Sequence, residues 1–120
     1  MRALLIPSNT ETAPTVIDID PGLKAIQDAV GGYIQMIGIR DHDINAYLCE
    51  EGKLLGMPFN PRATAIALST SSIFPTDVIV GDILFVGPCD EEGYDTDLPQ
   101  HEASWLQQHC NADHATAANG

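Results

Sequence analysis

The residues best suited to bind a ligand lie in one proline-containing segment, 50–64, which reads EEGKLLGMPFNPRAT. Proline stiffens a loop, and stiff loops commonly carry functional side chains. Arg62 has a planar guanidinium that fits a carboxylate or a phosphate, but it could also pair internally with Glu50 or Glu51. We predict a ligand site formed by the polar side chains of this segment: Glu50, Glu51, Lys53, Asn60, Arg62 and Thr64.

The sequence contains none of the common catalytic or metal-binding motifs. It has no GxSxG nucleophile elbow, no GxxxxGK[ST] phosphate loop, no HExxH and no CxxC. Asp41-His42-Asp43 are neighbours on a turn, and His101 and His109 would lie about 12 Å apart along one helix, so neither set predicts a metal site. We therefore expect no enzyme, metal or cofactor, although a hydrolase that pairs Cys49 or Cys110 with a histidine is an alternative without flanking support.

Acidic residues outnumber basic ones, 17 to 5, and the net charge is −12. No Lys or Arg follows Arg62, whereas residues 63–120 hold nine acids. Five of these acids lie in 90–97, a run that lacks the residue order of a calcium-binding EF-hand loop. Such a chain repels nucleic-acid backbones and anionic membranes. We expect neither as a direct partner, and a basic host protein is the alternative to a small ligand.

The cysteines and the first residues indicate where the protein is found. Three cysteines are widely spaced, which is not a disulfide framework. The start, MRALLIPSNT, has too short an apolar run for a signal peptide, and no stretch is long and apolar enough to span a bilayer. We expect a cytoplasmic protein, in the host cell if a phage encodes it.

Periodicity and turn residues define the elements that would position the segment at 50–64. Asp20-Pro21 begins a helix, with Asp20 as its N-cap, and Gly31-Gly32 ends it. Residues 62–68 fit either a helix or a strand. The other predicted elements are strands at 3–6 and 15–19, which pair as a hairpin, strands at 33–39, 44–49, 78–80 and 83–86, and a helix at 98–110.

This order predicts an α+β fold with a mostly antiparallel sheet of about five to six strands, one packed helix and a C-terminal helix. Residues 1–110 form the single domain, and residues 111–120 form a disordered tail. The run 78–86 is apolar and strand-like. As an exposed strand edge it invites pairing, and we predict a homodimer that covers it.

Four segments together resemble the uncharacterised family "domain of unknown function 3846", which occurs on phages, plasmids and other bacterial mobile elements. They are MRALLIP at the start, LKAIQDAVGGYIQ at 23–35, the EEGKL-G-P-N-RA pattern at 50–63, and DVIVGDILFVG at 77–87. Members often have Asn where this chain has Cys49, and they often run Asn-Arg where Pro61 separates Asn60 from Arg62. The resemblance covers about residues 1–110. It implies a small intracellular accessory protein of a mobile element and carries no activity with it.

Two functions fit these observations. The first is a non-catalytic binding protein that captures a small nucleotide-type ligand, as in counter-defence, with Arg40, Lys53 and Arg62 as the cations for a phosphate. The second is an acidic interaction module, or DNA mimic, that docks on a basic host protein through its acidic half.

Overall fold

Five strands and three helices make up the computed structural model, which describes the backbone of residues 1–119 and the side chains of residues 1–110. The strands are β1 (Arg2–Ile6), β2 (Thr15–Asp18), β3 (Ile34–Gly38), β4 (Asn45–Cys49) and β5 (Ile83–Val86). The helices are α1 (Leu23–Val30), α2 (Pro61–Ser69) and α3 (Gln100–Asn119). The predicted α+β class and C-terminal helix are therefore confirmed. The predicted tail at 111–120 lies outside the described side chains.

The strands form one sheet in the order β2-β1-β5-β4-β3, and every neighbouring pair is antiparallel. The predicted pairing of the first two strands is confirmed, with Ala3 opposite Ile17. Alternate residues of each strand point to opposite faces, so the central strand supplies both halves of the core. Phe85 packs on the α2 and α3 side, whereas Leu84 packs on the α1 side.

Local sequence explains the helix ends. Asn60 is the N-cap of α2 and Pro61 follows it, which is a favourable start for a helix, and the ambiguous residues 62–68 are accordingly helical. Gly31 ends α1 in the left-handed conformation, with φ of 90°. The predicted cap of α1 by Asp20 is wrong, because Gly22 is its N-cap and no side chain caps the helix.

The prediction of an exposed strand edge within 78–86 is wrong. β5 lies between β1 and β4 with all four residues buried, and residues 78–80 form no strand. Val80 makes only an isolated bridge to Phe59. The backbone of Ile79 instead bonds to the first turn of α2: its N–H donates to the Thr64 hydroxyl, and its carbonyl accepts from the Asn60 N–H. The homodimer predicted from this edge therefore loses its physical basis.

No helix in the described part of the chain is long and apolar enough to cross a bilayer.

Candidate functional site

Asn60 and Thr64, two of the predicted ligand-binding residues, are buried and hydrogen-bonded inside the protein. The Asn60 side-chain amide donates to the carbonyl oxygens of Ile6 and Gly81, at 3.0 and 2.9 Å. The Thr64 hydroxyl accepts the Ile79 N–H at 2.9 Å. Both side chains hold α2 against β1 and against the chain that leads into β5.

Arg62 and Lys53 also have partners within the protein. The Arg62 guanidinium donates to the carbonyl oxygens of Pro7 and Asn9, at 2.7 and 2.9 Å, rather than forming the ion pair considered for it. Lys53 forms a surface ion pair with Asp77, and its hydrogen bond lowers the pKa of the Asp77 carboxyl. The cations expected to converge on a phosphate thus contact different parts of the chain.

The two glutamates of the segment are exposed and line different cavities. Glu50 and Lys53 border a cavity of about 150 Å³ on the α2 side of the sheet. Glu51 borders a cavity of about 510 Å³ at the end of α1, next to Tyr33. The structure therefore does not bring the six predicted residues into one cleft, and a ligand role for this segment stays a prediction.

A different set of polar and aromatic side chains does share one cleft, which we call the histidine groove. Its volume is about 530 Å³. The turn between β3 and β4, the end of α2 and one face of α3 form its walls. The lining residues are Arg40, Asp41, His42, Ser69, Thr70, Ser71, Trp105 and His109.

A buried carboxylate fixes the position of His42 in this groove. Glu102, which is 5% exposed, places Oε1 3.0 Å from His42 Nδ1, and its Oε2 accepts the Asp43 N–H at 2.7 Å. An ionised carboxylate is an acceptor only, so the pair is satisfied when the imidazole donates from Nδ1. Donation from Nδ1 leaves Nε2, on the opposite side of the ring, outside this pair.

Stacking on an aromatic side chain also orients the His42 ring. His42 lies against Trp105, with 3.9 Å between ring centroids and 28° between planes. His109 meets Trp105 edge-on, with 5.6 Å between ring centroids, and its Nε2 lies 3.3 Å from the Ser69 hydroxyl. Trp105 thus connects two histidines along one wall of the groove.

Two residues with unfavourable backbone conformations lie on the rim. Asp41 has φ of 65° and Ser71 has φ of 56°, and no other non-glycine residue in the described backbone has a positive φ. The left-handed region is costly for residues with a side chain, and such residues cluster at functional sites. The Arg40 N–H donates to the Ser72 hydroxyl at 3.0 Å, which joins the two rim loops.

Sequence reasoning missed this groove, although part of its signal was visible. Glu102, Trp105 and His109 are spaced three and four residues apart, which places them on one face of α3. In the sequence, the Asp41-His42-Asp43 turn is a candidate only for metal ligation. Nothing in the sequence indicated that this turn lies against that face of α3, because the contact joins residues about sixty positions apart.

The acidic loop at 90–97 is organised by its own side chains. Asp90 accepts the backbone N–H groups of Glu92 and Tyr94, both at 2.9 Å. Asp95 accepts the Tyr47 hydroxyl at 2.6 Å, and burial together with this hydrogen bond raises the pKa of Tyr47. In the part of the chain with described side chains, no three or more His, Cys, Asp or Glu residues come together as a metal site.

A comparison with models of protein families gives a match over nearly the whole chain. The model of the family described as "Domain of unknown function (DUF3846)" matches residues 1–111. No curated protein and no solved structure matches the chain.

Proposed function

The chain belongs to the DUF3846 family, and we propose that it is a non-catalytic binding protein that holds a small nucleotide-type ligand in the histidine groove. The observation that carries this proposal is the placement of His42. A buried carboxylate on one side and an indole on the other hold the imidazole at the wall of an open groove. A side chain held this firmly is ready to contact a ligand before the ligand arrives.

The lining of the groove indicates the chemistry of its ligand. Trp105 and the two histidines offer aromatic surface and ring nitrogens to a planar base, and the hydroxyls of Ser69, Thr70 and Ser71 can donate or accept. Among the described residues that line the groove, Arg40 alone is a lysine or an arginine. Any phosphate on the ligand would therefore rely on the Arg40 guanidinium, which makes strong hydrogen bonds to phosphate oxygens.

The test is a titration with matched nucleosides and nucleotides in which tryptophan fluorescence is the measure of binding. Trp105 is the single tryptophan of the chain, so its emission reports on the groove directly. We expect a nucleotide to bind about tenfold more tightly than its nucleoside, because one charge-assisted hydrogen bond contributes roughly 1.5 kcal/mol. The exposed Arg40→Ala variant should abolish this difference while leaving nucleoside binding in place.

Lys53→Ala is the matched control, since it removes an exposed cation from the segment at 50–64. It should leave both affinities unchanged. If Lys53→Ala and Arg40→Ala weakened nucleotide binding equally, the result would favour a site in the segment at 50–64 over the histidine groove. Unchanged Trp105 emission across the nucleotide series, with no heat in calorimetry, would reject the proposal.

The biological role we propose is capture of such a ligand in the cytoplasm of a host cell, by an accessory protein of a phage or other mobile element. Sequestration needs no catalytic step, which agrees with a sequence without a catalytic motif. A ligand that is only sequestered is recovered chemically intact after the protein is denatured, and mass spectrometry of the released ligand checks this.

A second candidate is docking of the acidic half on a basic host protein. The observation that favours it is the rigidity of the acidic loop: Asp90 and Asp95 hold the backbone and Tyr47, while Glu91 and Glu92 are exposed. Asp97 extends the acidic surface toward β1, where it accepts the Arg2 N–H at 2.7 Å.

Glu91→Gln combined with Glu92→Gln tests this candidate without disturbing the loop. For a complex held by these charges, we expect affinity for the basic partner to fall several-fold and to depend less steeply on salt. Asp90 is unsuitable for the test because its carboxylate holds the loop backbone. A complex insensitive to both salt and the double substitution would contradict the docking model.

A further inference from the structure

β3 is an edge strand with an open hydrogen-bonding side. It is the last strand of the described sheet, next to β4. The Tyr33 carbonyl accepts the Glu50 N–H, and the Ile39 N–H donates to the Ile44 carbonyl, so the odd-numbered residues point their backbone groups at β4. Antiparallel ladders alternate, and the N–H and C=O groups of Ile34, Met36 and Gly38 therefore point away from the sheet.

This edge lacks the features that usually prevent strands from pairing. Residues 29–40 contain no acid, although the chain has a net charge of −12. β3 itself has neither a charge nor a proline, and Met36 at its centre is 52% exposed. Uncovered, uncharged edges invite a further strand. The opposite edge, β2, carries the exposed Asp18.

We propose that a second copy of this chain pairs with β3 in antiparallel orientation, around a two-fold axis at Met36. This register sets Met36 opposite Met36 of the second copy and Ile34 opposite Gly38 of the second copy. In this register each outward-facing, even-numbered residue lies opposite another outward-facing, even-numbered residue. All the outward backbone groups of both strands can therefore form hydrogen bonds. The two exposed Met36 side chains meet on the α1 face, next to Tyr47, and extend the apolar cluster there.

Charge complementarity favours a second copy as the partner. Arg40 lies just beyond one end of β3, while the other end opens on the cavity lined by Asp28, Gly32 and Glu51. In the proposed register, Arg40 of each copy comes opposite Gly32 of the other. The positive charge of each Arg40 thereby lies near this cavity of the other copy while its side chain still borders the histidine groove, which offsets part of the repulsion between two negatively charged chains.

The test compares proline substitutions on the two edges by sedimentation at micromolar concentration. The Met36 N–H points outward, so Met36→Pro costs the folded monomer little but blocks strand pairing. We expect the unchanged protein to sediment as two chains and Met36→Pro to raise the dissociation constant by about tenfold or more. Val16→Pro is the matched control on β2: its N–H also points outward, because the Ile19 N–H bonds to Met1, and the dimer should persist.

A charge reversal gives a second arm. Glu51→Arg should weaken the dimer, and more so at low salt, whereas Glu11→Arg in the exposed loop after β1 should not. A single-chain mass for the unchanged protein, or dissociation by Val16→Pro instead of Met36→Pro, would overturn the proposal. Ligand binding is measured separately through Trp105, so failure here leaves the proposed function standing, and failure there leaves the dimer standing.

Discussion

Replacing Asn60 with alanine is expected to lower the free energy of unfolding by about 3 kcal/mol or more. The substitution removes the helix cap that accepts the Ala63 N–H, and it leaves the Ile6 and Gly81 carbonyls without their buried donor. An N-cap contributes roughly 1 kcal/mol, and an unsatisfied buried polar group costs roughly 1–3 kcal/mol. The change in the free energy of unfolding is measured by urea denaturation, with the emission of Trp105 as the signal.

Asn60→Asp distinguishes the donor role of the amide from its capping role. A carboxylate still accepts the Ala63 N–H, but it puts an oxygen opposite the two carbonyls and buries a charge. Burial should raise the pKa of the introduced acid above its unfolded value near 4. The variant should therefore be most stable below about pH 4 and should lose stability relative to the unchanged protein as the pH rises through the folded pKa.

Asn9→Ala is the control for both changes, because Asn9 is exposed and its side chain accepts only the neighbouring Glu11 N–H. It should cost less than about 0.5 kcal/mol, as surface substitutions usually do. A similar loss for Asn9→Ala and Asn60→Ala would contradict the view that Asn60 joins α2 to β1 and β5.

Gly87→Ala is expected to be the other severely destabilising change, at about 2–3 kcal/mol. A Cβ at this buried position would clash with the Asp97 carbonyl oxygen and would lie 2.7 Å from the Thr96 hydroxyl. The first of these atoms belongs to the backbone, so the acidic loop would have to move away from the end of β5. This would break the hydrogen bond from the Gly87 N–H to the Thr96 carbonyl.

Gly22→Ala provides the comparison. Gly22 precedes α1 with φ of −72°, and an added Cβ meets nothing within 4 Å. The same change of residue type should therefore leave the unfolding midpoint nearly unaltered. If thermal unfolding gave equal shifts for the two variants, close approach of the acidic loop to Gly87 would not explain the cost. Hydrogen exchange of residues 88–97 should rise in Gly87→Ala alone.

The internal hydrogen bonds of Asn60 and its neighbours explain why the segment at 50–64 resembles a binding loop in the sequence. Asn, Arg and Thr are the residue types that bind ligands, and they are equally the types that satisfy buried backbone groups. Asn60, Arg62 and Thr64 bond to backbone atoms of β1, of the loop after it and of Ile79. Composition cannot separate the two roles, because the partners are distant in sequence.

The sequence alone was sufficient for the family, the α+β class, the hairpin of β1 and β2 and the helices α1 and α3. These features rest on local information: residues that alternate or recur every three to four positions, and Gly or Pro at the ends. The strand order, the central place of β5 and the histidine groove were decided only by the tertiary structure. Each depends on contacts between residues far apart in the chain, such as His42 with Glu102, which no local pattern encodes.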